Sequence, residues 1–386
     1  MKYRILGWWL CAIVPGAAQA KDGVRIDYRG LTYKTGSVEL SLGGRLHLDA
    51  ASFDNPAASS NRDTKAAVRR ARLELSGRLS KAVRFRIDRE FAGSSKGWRN
   101  LWLSVEPVRN VVIKGGNFVV PFSAEDLQSS NTLPFAERSL ASSLTPGYGL
   151  GGSISASGRK WSASAGYFTD ALDSAEGRSS KRGNGVAARF TVTPLKKHGR
   201  LVHLGIALER RNFNHDDKLR FSADPGSTLA PSLMSTGTIS RLDHLRSFSV
   251  EAAGSSGSLM VQGNFVLTGI DRNGRQDLTF SGQNLQASWL VTGGHYDYSV
   301  SQGLFDGPAL REGKRAIELS ARISRLDLNS GPVQHGTGLA LTGGLNWYIN
   351  RNLRLMGDYT ESRVHFPNTN STIHDHVAVG RLQVAF

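Results

Sequence analysis

The chain has 386 residues, of which 39% are hydrophobic, and no run of eighteen apolar residues follows the first twenty positions. This distribution excludes a helical membrane protein, because a spanning helix needs about 20 consecutive apolar residues. With 48 Lys and Arg against 32 Asp and Glu, and with 43 Gly, the remaining classes are a large soluble all-β protein and a transmembrane β-barrel, whose strands need only every second residue apolar.

Residues 1–20 have the three parts of a secretory signal peptide. Lys2 and Arg4 form the positive start, residues 5–14 the apolar stretch, and residues 18–20 (Ala-Gln-Ala) the small-residue cleavage site. The only cysteine, Cys11, lies in this segment, so the exported chain has no disulfide and no thiolate metal site. Its 46 basic and 32 acidic residues give a net charge of +14, which favours lipopolysaccharide or anionic solutes as partners over nucleic acid.

After the signal peptide, residues 21–386 form a single predicted domain in which apolar and polar side chains alternate, as they do in a β-strand with two different faces. In 38–48 the even-numbered positions are Val, Leu or Gly, while Arg45 and His47 take the other face. About sixteen segments show this pattern, an even number as expected for a single-chain barrel. They lie at 38–48, 70–79, 83–88, 98–106, 110–119, 148–157, 159–168, 184–193, 201–211, 247–254, 257–270, 279–292, 313–327, 335–349, 352–365 and 374–386.

The connections between these segments alternate in length. After even-numbered strands they are tight, as at Ser80–Lys81 and Asn350–Arg351. After odd-numbered strands they are longer and polar, at 54–66, 120–147, 169–183, 212–246 and 328–336. Short turns on one rim and long loops on the other are typical of outer-membrane barrels and not of a Greek-key sandwich. The exception is 293–312, long on the short side, where a further hairpin would change the strand count by about two.

The last strand ends on an aromatic residue. Leu382, Val384 and Phe386 share one face, while Arg381 and Gln383 take the other. A patterned strand with a free edge invites aggregation unless it is paired or covered. The sequence therefore predicts that this strand closes a barrel against the N-terminal strand, and the alternative is a soluble strand with a covered edge.

The polar face carries arginines in strand after strand. They are Arg45, Arg70, Arg72, Arg84, Arg86, Arg189, Arg322, Arg354 and Arg381. A polar, water-filled lumen and a lipid-facing exterior accommodate these charges, whereas a soluble barrel would bury them. Two roles remain open for the group on the first three strands. They attract anions, or they pair with Glu74, Asp88 and Glu90 and only hold the wall rigid. Aromatic girdles are predicted from Trp98, Trp102, Trp161, Trp347 and Tyr348.

Several segments, in order, resemble one family of porins. Gly43–Phe53 contains a Gly-Gly-Arg strand start and Arg69–Gly77 reads Arg-Arg-Ala-Arg-Leu-Glu-Leu-Ser-Gly. Phe85–Ala92, Gly116–Ser123 and the pair Glu137-Arg138 follow. This pattern is similar to that of the phosphate-selective porins O and P, most closely over residues 43–140.

The resemblance implies a sixteen-stranded trimeric porin of the Gram-negative outer membrane, exported through the Sec pathway. Its third long loop, 120–147, would fold into the lumen and narrow it. Arg45, Arg69, Arg70 and Arg138 match the family's anion-contacting positions. Strict alternation agrees for Arg45 and Arg70 but turns Arg69 away from the pore.

Two positions depart from the family pattern. Phosphate-selective members have a Lys after a Glu in the inward loop, and here Asp126 follows Glu125. A second family position, an Asp at the start of the fourth strand, is Asn100. An acidic residue in the constriction would repel phosphate, so selectivity for phosphate or polyphosphate does not follow from membership. Alternatively, Glu125 and Asp126 occupy the first turn of a short helix after Pro121, where acidic residues are favoured.

The sequence predicts a channel for passive diffusion of small anions, with no enzymatic activity, no cofactor and no metal. Neither a His-Glu-x-x-His motif nor a Gly-x-Ser-x-Gly motif is present. Two alternatives remain. One is a plugged surface-binding barrel whose 212–246 loop contacts a partner, and the other is a secreted all-β adhesin.

Overall fold

The structure is a computed structural model that describes residues 23–27, 30–54, 62–93, 96–172, 183–197, 199–310 and 314–386. The predicted signal peptide, 1–20, and most of the predicted loops 54–66 and 169–183 lie outside these ranges. No helix in the described ranges is long and apolar enough to cross a membrane.

The described residues are almost entirely β-structure, with one α-helix, α1, and one 3-10 helix. The helices are α1 (Ala124–Leu127) and the 3-10 helix Leu140–Leu144. The strands are β1 (Gly23–Asp27), β2 (Gly30–Thr35), β3 (Val38–Asp54), β4 (Arg62–Arg78), β5 (Val83–Glu90), β6 (Gly97–Val108), β7 (Val111–Val119), β8 (Tyr148–Ser157), β9 (Trp161–Asp170), β10 (Asn184–Lys197), β11 (Arg200–Asn212), β12 (Ser222–Ala223), β13 (Met234–Ser235), β14 (Leu242–Ser256), β15 (Leu259–Arg272), β16 (Leu278–Leu290), β17 (Tyr296–Ser299), β18 (Leu304–Pro308), β19 (Ala316–Ser330), β20 (Val333–Tyr348), β21 (Leu353–Phe366) and β22 (Ser371–Ala385).

Sixteen of these strands form one closed antiparallel barrel. They are β3 to β11, β14 to β16 and β19 to β22, each paired with the next, and β22 pairs back to β3. The sixteen strands confirm the predicted fold class. The predicted long connections 120–147 and 212–246 are present, but the one at 328–336 is wrong, because only residues 331 and 332 separate β19 from β20. We call the two ends the short-turn rim and the long-loop rim.

The barrel closes at the C-terminal residue. Phe386 and Gly44 exchange two backbone hydrogen bonds, of 2.6 Å and 3.0 Å. Leu46 lies opposite Val384 in the register. The predicted closure is confirmed, but β3 is not the first strand of the chain. The hairpin of β1 and β2 pairs with the start of β3, beyond the end of β22, and the sequence pattern did not reveal it.

The outward face is apolar and the inward face is polar. On β11, exposed and buried side chains alternate along the whole strand. Ile206 and Leu208 are 49% and 57% exposed, whereas His203 and Glu209 are buried. This arrangement is the reverse of a soluble barrel and suits a hydrocarbon exterior. The girdle prediction is wrong for Trp102 and Tyr348, whose side chains face inward (see below).

Three segments fill part of the lumen. The first is the loop 120–147, which contains α1 and the 3-10 helix. The second connects β11 to β14, and its small β12–β13 hairpin packs Phe221 and Met234 against the inner wall. The third is the β17–β18 hairpin, which enters from the short-turn rim. The long connection 293–312 thus contains the suspected hairpin, but that hairpin is not part of the wall.

The β17–β18 hairpin is held by polar contacts to inward residues. The Tyr298 hydroxyl lies 2.6 Å from Nδ1 of His203, and Nε2 of His203 lies 3.2 Å from Oε1 of Glu251. Arg189 also binds Glu251 and donates from Nη1 to the Gln302 carbonyl at 2.9 Å. The hairpin is therefore anchored on β10, β11 and β14.

We expect the folded protein to migrate differently in SDS before and after boiling. Every strand of the wall is hydrogen-bonded to a neighbour on both edges. The sheet therefore has no open edge at which SDS could begin to unfold it. The measurement is electrophoresis of membrane-inserted protein with and without heating. Identical mobility in both lanes would contradict a closed barrel.

Candidate functional site

Arg69 and Arg70 both point into the lumen because β4 contains a β-bulge at Arg69, directly after Val68. His47 lies opposite Arg70 and Leu48 lies opposite Val68, which leaves Arg69 as the extra residue. A bulge of this kind breaks the alternation of side chains at one point. Arg69 and Arg70 are consequently both buried on the inner side, at 9% and 8% exposure. The expectation that Arg69 faces away from the pore is wrong.

Glu137 joins the inward loop to both sides of the barrel seam. Arg69 makes two parallel bonds to its carboxylate, of 2.6 Å and 2.8 Å. Nη2 of Arg381 lies 3.3 Å from Oε1 of Glu137 and also binds Asp49 at 2.7 Å. Burial raises the pKa of the Glu137 carboxyl, but the guanidinium groups of Arg69, Arg381 and Arg70 outweigh it and lower the pKa to about 2.

Backbone groups of the loop provide further anchors. Arg354 donates to the Leu133 carbonyl at 2.9 Å, and Asn346 donates to the Pro134 carbonyl at 2.8 Å. The amide of Ala136 donates to Asp358 at 2.6 Å. These contacts, together with Arg69 and Arg381, seat the loop against β3, β4 and β20 to β22. The prediction of an inward-folded third long loop is confirmed.

Arg45 and Arg70 differ from the other predicted arginines in their surroundings. Nη1 of Arg45 donates to the Ser130 hydroxyl at 2.9 Å and lies 3.4 Å from that of Ser129, both on the inward loop. Its nearest carboxylate contact, with Glu74, is 3.8 Å. Within the described ranges, Arg70 has no hydrogen bond or ion pair, and its Nε is buried without an acceptor. Arg70 is thus a buried cation whose charge is not neutralised by direct contact.

The remaining arginines of the first three strands are paired with acids. Arg72 lies 3.3 Å from Glu90 and 3.9 Å from Asp88. Arg86 lies 2.6 Å from Glu74 and 3.1 Å from Asp88. Arg84 is 55% exposed and lies 3.7 Å from Glu106. The internal pairing considered as an alternative is therefore present for Arg72 and Arg86, whereas Arg45 and Arg70 have no carboxylate within 3.5 Å in the described residues.

Arg138 and Asp126 brace the inward loop. Arg138 donates to the carbonyls of Glu125 at 3.0 Å, Asp126 at 3.3 Å and Gln128 at 3.1 Å. Its Nε lies 3.4 Å from Oδ1 of Asp126, and the Thr145 hydroxyl donates to the same carboxylate. Most of the hydrogen-bonding capacity of Arg138 is therefore used within the loop.

Glu125 lies on the same short helix and is buried. The amide and hydroxyl of Ser139 donate to its carboxylate at 2.7 Å and 2.6 Å. Both Glu125 and Asp126 stand in the first turn of α1, whose N-cap Ser123 makes no side-chain capping bond. The predicted short helix with acidic residues in its first turn is therefore present.

Three residues named in the sequence analysis have lumen contacts that the sequence did not predict. Asn100 binds Asp88 through its backbone and side-chain amides, both at 2.7 Å, so it orders a carboxylate that also contacts Arg72 and Arg86. Trp102 faces inward, with the Lys114 ammonium 4.8 Å from its ring centre. Tyr348 is buried inside, with its hydroxyl 2.8 Å from Glu318. No group of three or more potential metal ligands is found in the part of the chain that the structure describes.

The sequence profile of the family "Phosphate-selective porin O and P" matches residues 40–386. This chain belongs to that family. Among curated proteins, no sequence matches the chain significantly. A porin of this family is an outer-membrane channel for small solutes, which indicates a channel rather than an enzyme.

Solved porins share the fold at low sequence identity. The anion-selective porin from Comamonas acidovorans is 14% identical with a TM-score of 0.57, over 90% of this chain and 100% of that one. OprB from Pseudomonas putida is 10% identical with a TM-score of 0.58, over 90% and 94%. The trimer form of OmpT from Vibrio cholerae is 10% identical with a TM-score of 0.56, over 91% and 100%. At these identities the likeness shows the fold alone.

Proposed function

We propose that this porin passes small anions, and that they cross the lumen between the inward loop and the arginine wall. The observation that carries the proposal is Arg70, an inward cation without a hydrogen bond or ion pair in the described residues, which lies opposite His47. Arg45 and the hydroxyls of Ser129 and Ser130 lie on the same side of the loop. A confined positive potential raises the local concentration of anions.

The test is the reversal potential of single channels in a KCl gradient, with and without added phosphate. An anion-selective potential supports the proposal, and a cation-selective potential refutes it. Block of the chloride current by phosphate would extend the selectivity to phosphate. Chloride selectivity without such block would leave a general anion channel.

A second candidate is a plugged barrel that binds a partner at the long-loop rim. The observation that favours it is the apolar packing of the β11–β14 connection, in which Phe221, Met234 and Ile239 are fully buried inside the wall. A plugged barrel would insert into bilayers and resist SDS but show no steps of conductance. Conductance steps in a planar bilayer would exclude it.

We propose that the exported chain, 21–386, is released from its signal peptide after Sec-dependent export and assembles as a homotrimer among outer-membrane lipid and lipopolysaccharide. The trimer form of OmpT supports the oligomeric state. The outer wall offers a suitable face, because Ala50, Gly343, Gly357 and Gly380 leave a shallow groove of about 680 Å³. Native mass measurement of detergent-extracted protein tests the trimer.

The variant Asp126→Lys tests the loop acid. It removes the carboxylate that pairs with Arg138 and accepts a bond from Thr145, and it places a second cation beside Arg138. We expect stronger anion selectivity, because the net charge of the loop rises by two, together with noisier open channels from the lost brace. Selectivity and phosphate block equal to those of the wild type would remove Asp126 from the permeation pathway.

A further inference from the structure

Lys114 lies on β7, three strands along the wall from β4 and its part of the arginine cluster. It is on β7, where Ile113 points outward and is 47% exposed, so Lys114 points inward. It is directly opposite Ser104 on β6 and Ser153 on β8. Residues paired in this way share one face of the sheet, with Cα atoms about 4.5–5.5 Å apart. The three side chains therefore form one row across three strands.

No carboxylate neutralises Lys114 in the described part of the barrel, where its ammonium has no oxygen of Asp or Glu within 4.0 Å. Its contacts are instead aromatic. The Nζ atom lies 4.8 Å from the ring centre of Trp102 and 5.0 Å from that of Phe118. Such rings attract a cation without cancelling its charge or using its three N–H donors. Lys114 differs in this respect from Arg72 and Arg86, whose charges are neutralised by ion pairs with neighbouring carboxylates.

The hydroxyls beside the ammonium are also available. Within the ranges that the structure describes, the side chains of Ser104 and Ser153 form no hydrogen bond, although both residues are largely buried, at 6% and 9% exposure. One ammonium and two hydroxyls thus present donors on the same face. Several donors around one cation match an anion with several acceptor oxygens better than they match chloride.

The row lies away from the inward loop. Lys114 stands five residues before β7 ends at Val119, which corresponds to about 17 Å along the strand toward the short-turn rim. The arginine cluster lies on β3, β4 and β22, where the loop is anchored. An anion that passes the loop would therefore meet the Lys114 row as a separate group of donors.

We propose that Lys114, with Ser104 and Ser153, forms a second binding site for small oxyanions, on the short-turn side of the inward loop. The inference rests on the proposed anion channel and adds a site on β6 to β8, nearer the short-turn rim than the arginine cluster. Two sites in series allow an ion to leave one as another arrives, which keeps binding compatible with conduction.

The experiment uses a single introduced cysteine, because the only cysteine of the chain, Cys11, lies in the predicted signal peptide. In Lys114→Cys we expect about a fivefold rise in the concentration of inorganic phosphate that halves the chloride current, which corresponds to about 1 kcal/mol for one unit charge at about 4 Å in water. Modification with a positively charged thiol reagent should restore the block, and a neutral reagent of equal size should not.

The matched control is Arg84→Cys. Arg84 lies in the same row but is exposed and paired with Glu106, so its loss should change phosphate block by less than twofold. Lys114→Arg keeps the charge and should keep the block, which separates a lost site from a misfolded barrel. If the wild type is anion-selective but Lys114→Cys blocks like the wild type, only the second site is refuted. A cation-selective wild type would refute the proposed function and this inference together.

Discussion

Replacing Glu137 by Gln is expected to loosen the inward loop and destabilise the barrel by about 3–5 kcal/mol, the range for breaking a buried ion pair from one side. The loss is large because Arg69 remains buried without its carboxylate partner and Arg381 keeps only Asp49. Single channels should become noisier and more anion-selective, since Arg69 loses its carboxylate partner while Arg381 keeps its pair with Asp49. The measurements are open-channel noise, reversal potential and the temperature at which the SDS-resistant form is lost.

The control for this variant is Glu106→Gln. It removes the carboxylate that pairs with Arg84. The Arg84 side chain is 55% exposed, so this ion pair contributes little to stability. We expect stability within about 1 kcal/mol of the wild type and unchanged noise. Quiet channels and unaltered thermal stability in Glu137→Gln would show that other contacts hold the loop.

The pH dependence of the loop follows from the same carboxyl. Its pKa falls from 4.5 to about 2 on folding, so the anchoring free energy is fully present above about pH 4.5. It decreases as the pH falls toward 2, where the folded form is protonated. Wild-type channels should therefore stay quiet at pH 4 and acquire noise like that of Glu137→Gln only near pH 2. Noise that begins near pH 5 would contradict this assignment.

The second large effect is expected for Arg70→Gln. The charge of Arg70 is not neutralised by contact in the described residues. Its removal should therefore weaken the attraction for a passing anion by about 1 kcal/mol, the energy of two unit charges about 4 Å apart in water. This corresponds to about a fivefold fall in the ratio of anion to cation permeability. Stability should not fall, because a buried cation without a partner is a cost of folding. The reversal potential and the SDS-resistance temperature measure the two effects.

Arg69→Gln is the matched control, since it makes the same change one residue away. Arg69 is bound to Glu137, so this variant should lose stability and gain noise. Removing Arg69 also leaves Glu137 partly unneutralised in the lumen. If Arg70→Gln is the variant that destabilises and leaves selectivity intact, Arg70 serves the wall and not the permeating ion.

The sixteen strands, the closure at Phe386 and the inward loop could be predicted because alternation and connection length act locally along the chain. The same reasoning could have placed Trp347 outward and Tyr348 inward, since adjacent residues in a strand cannot share a face. Their position near a strand end favours an interfacial girdle for both, which is wrong for Tyr348. For Trp102, the neighbouring Ser104 on the same face already indicated the lumen.

The site could be predicted only in part. The bulge that turns Arg69 inward arises because β4 has one more residue than β3 between two neighbouring pairs of the register. No residue type at that position indicates the bulge in the sequence. The role of Glu137 requires knowing that two strands distant in sequence meet at the seam. The sequence does not single out Lys114, because it is one cation among uncharged residues, and the absence of a nearby carboxylate depends on how the strands pair.

The seam contacts of Glu137 also constrain the order of assembly. Arg69 lies 68 residues before it and Arg381 lies 244 residues after it, and these partners come together only when β22 meets β3. The loop can therefore dock fully only after the last strand is in place, and contacts between such distant parts of a chain form slowly. In a barrel that has not closed, the loop would remain undocked. Protection of 120–147 from protease would therefore measure the fraction of barrels that have completed folding.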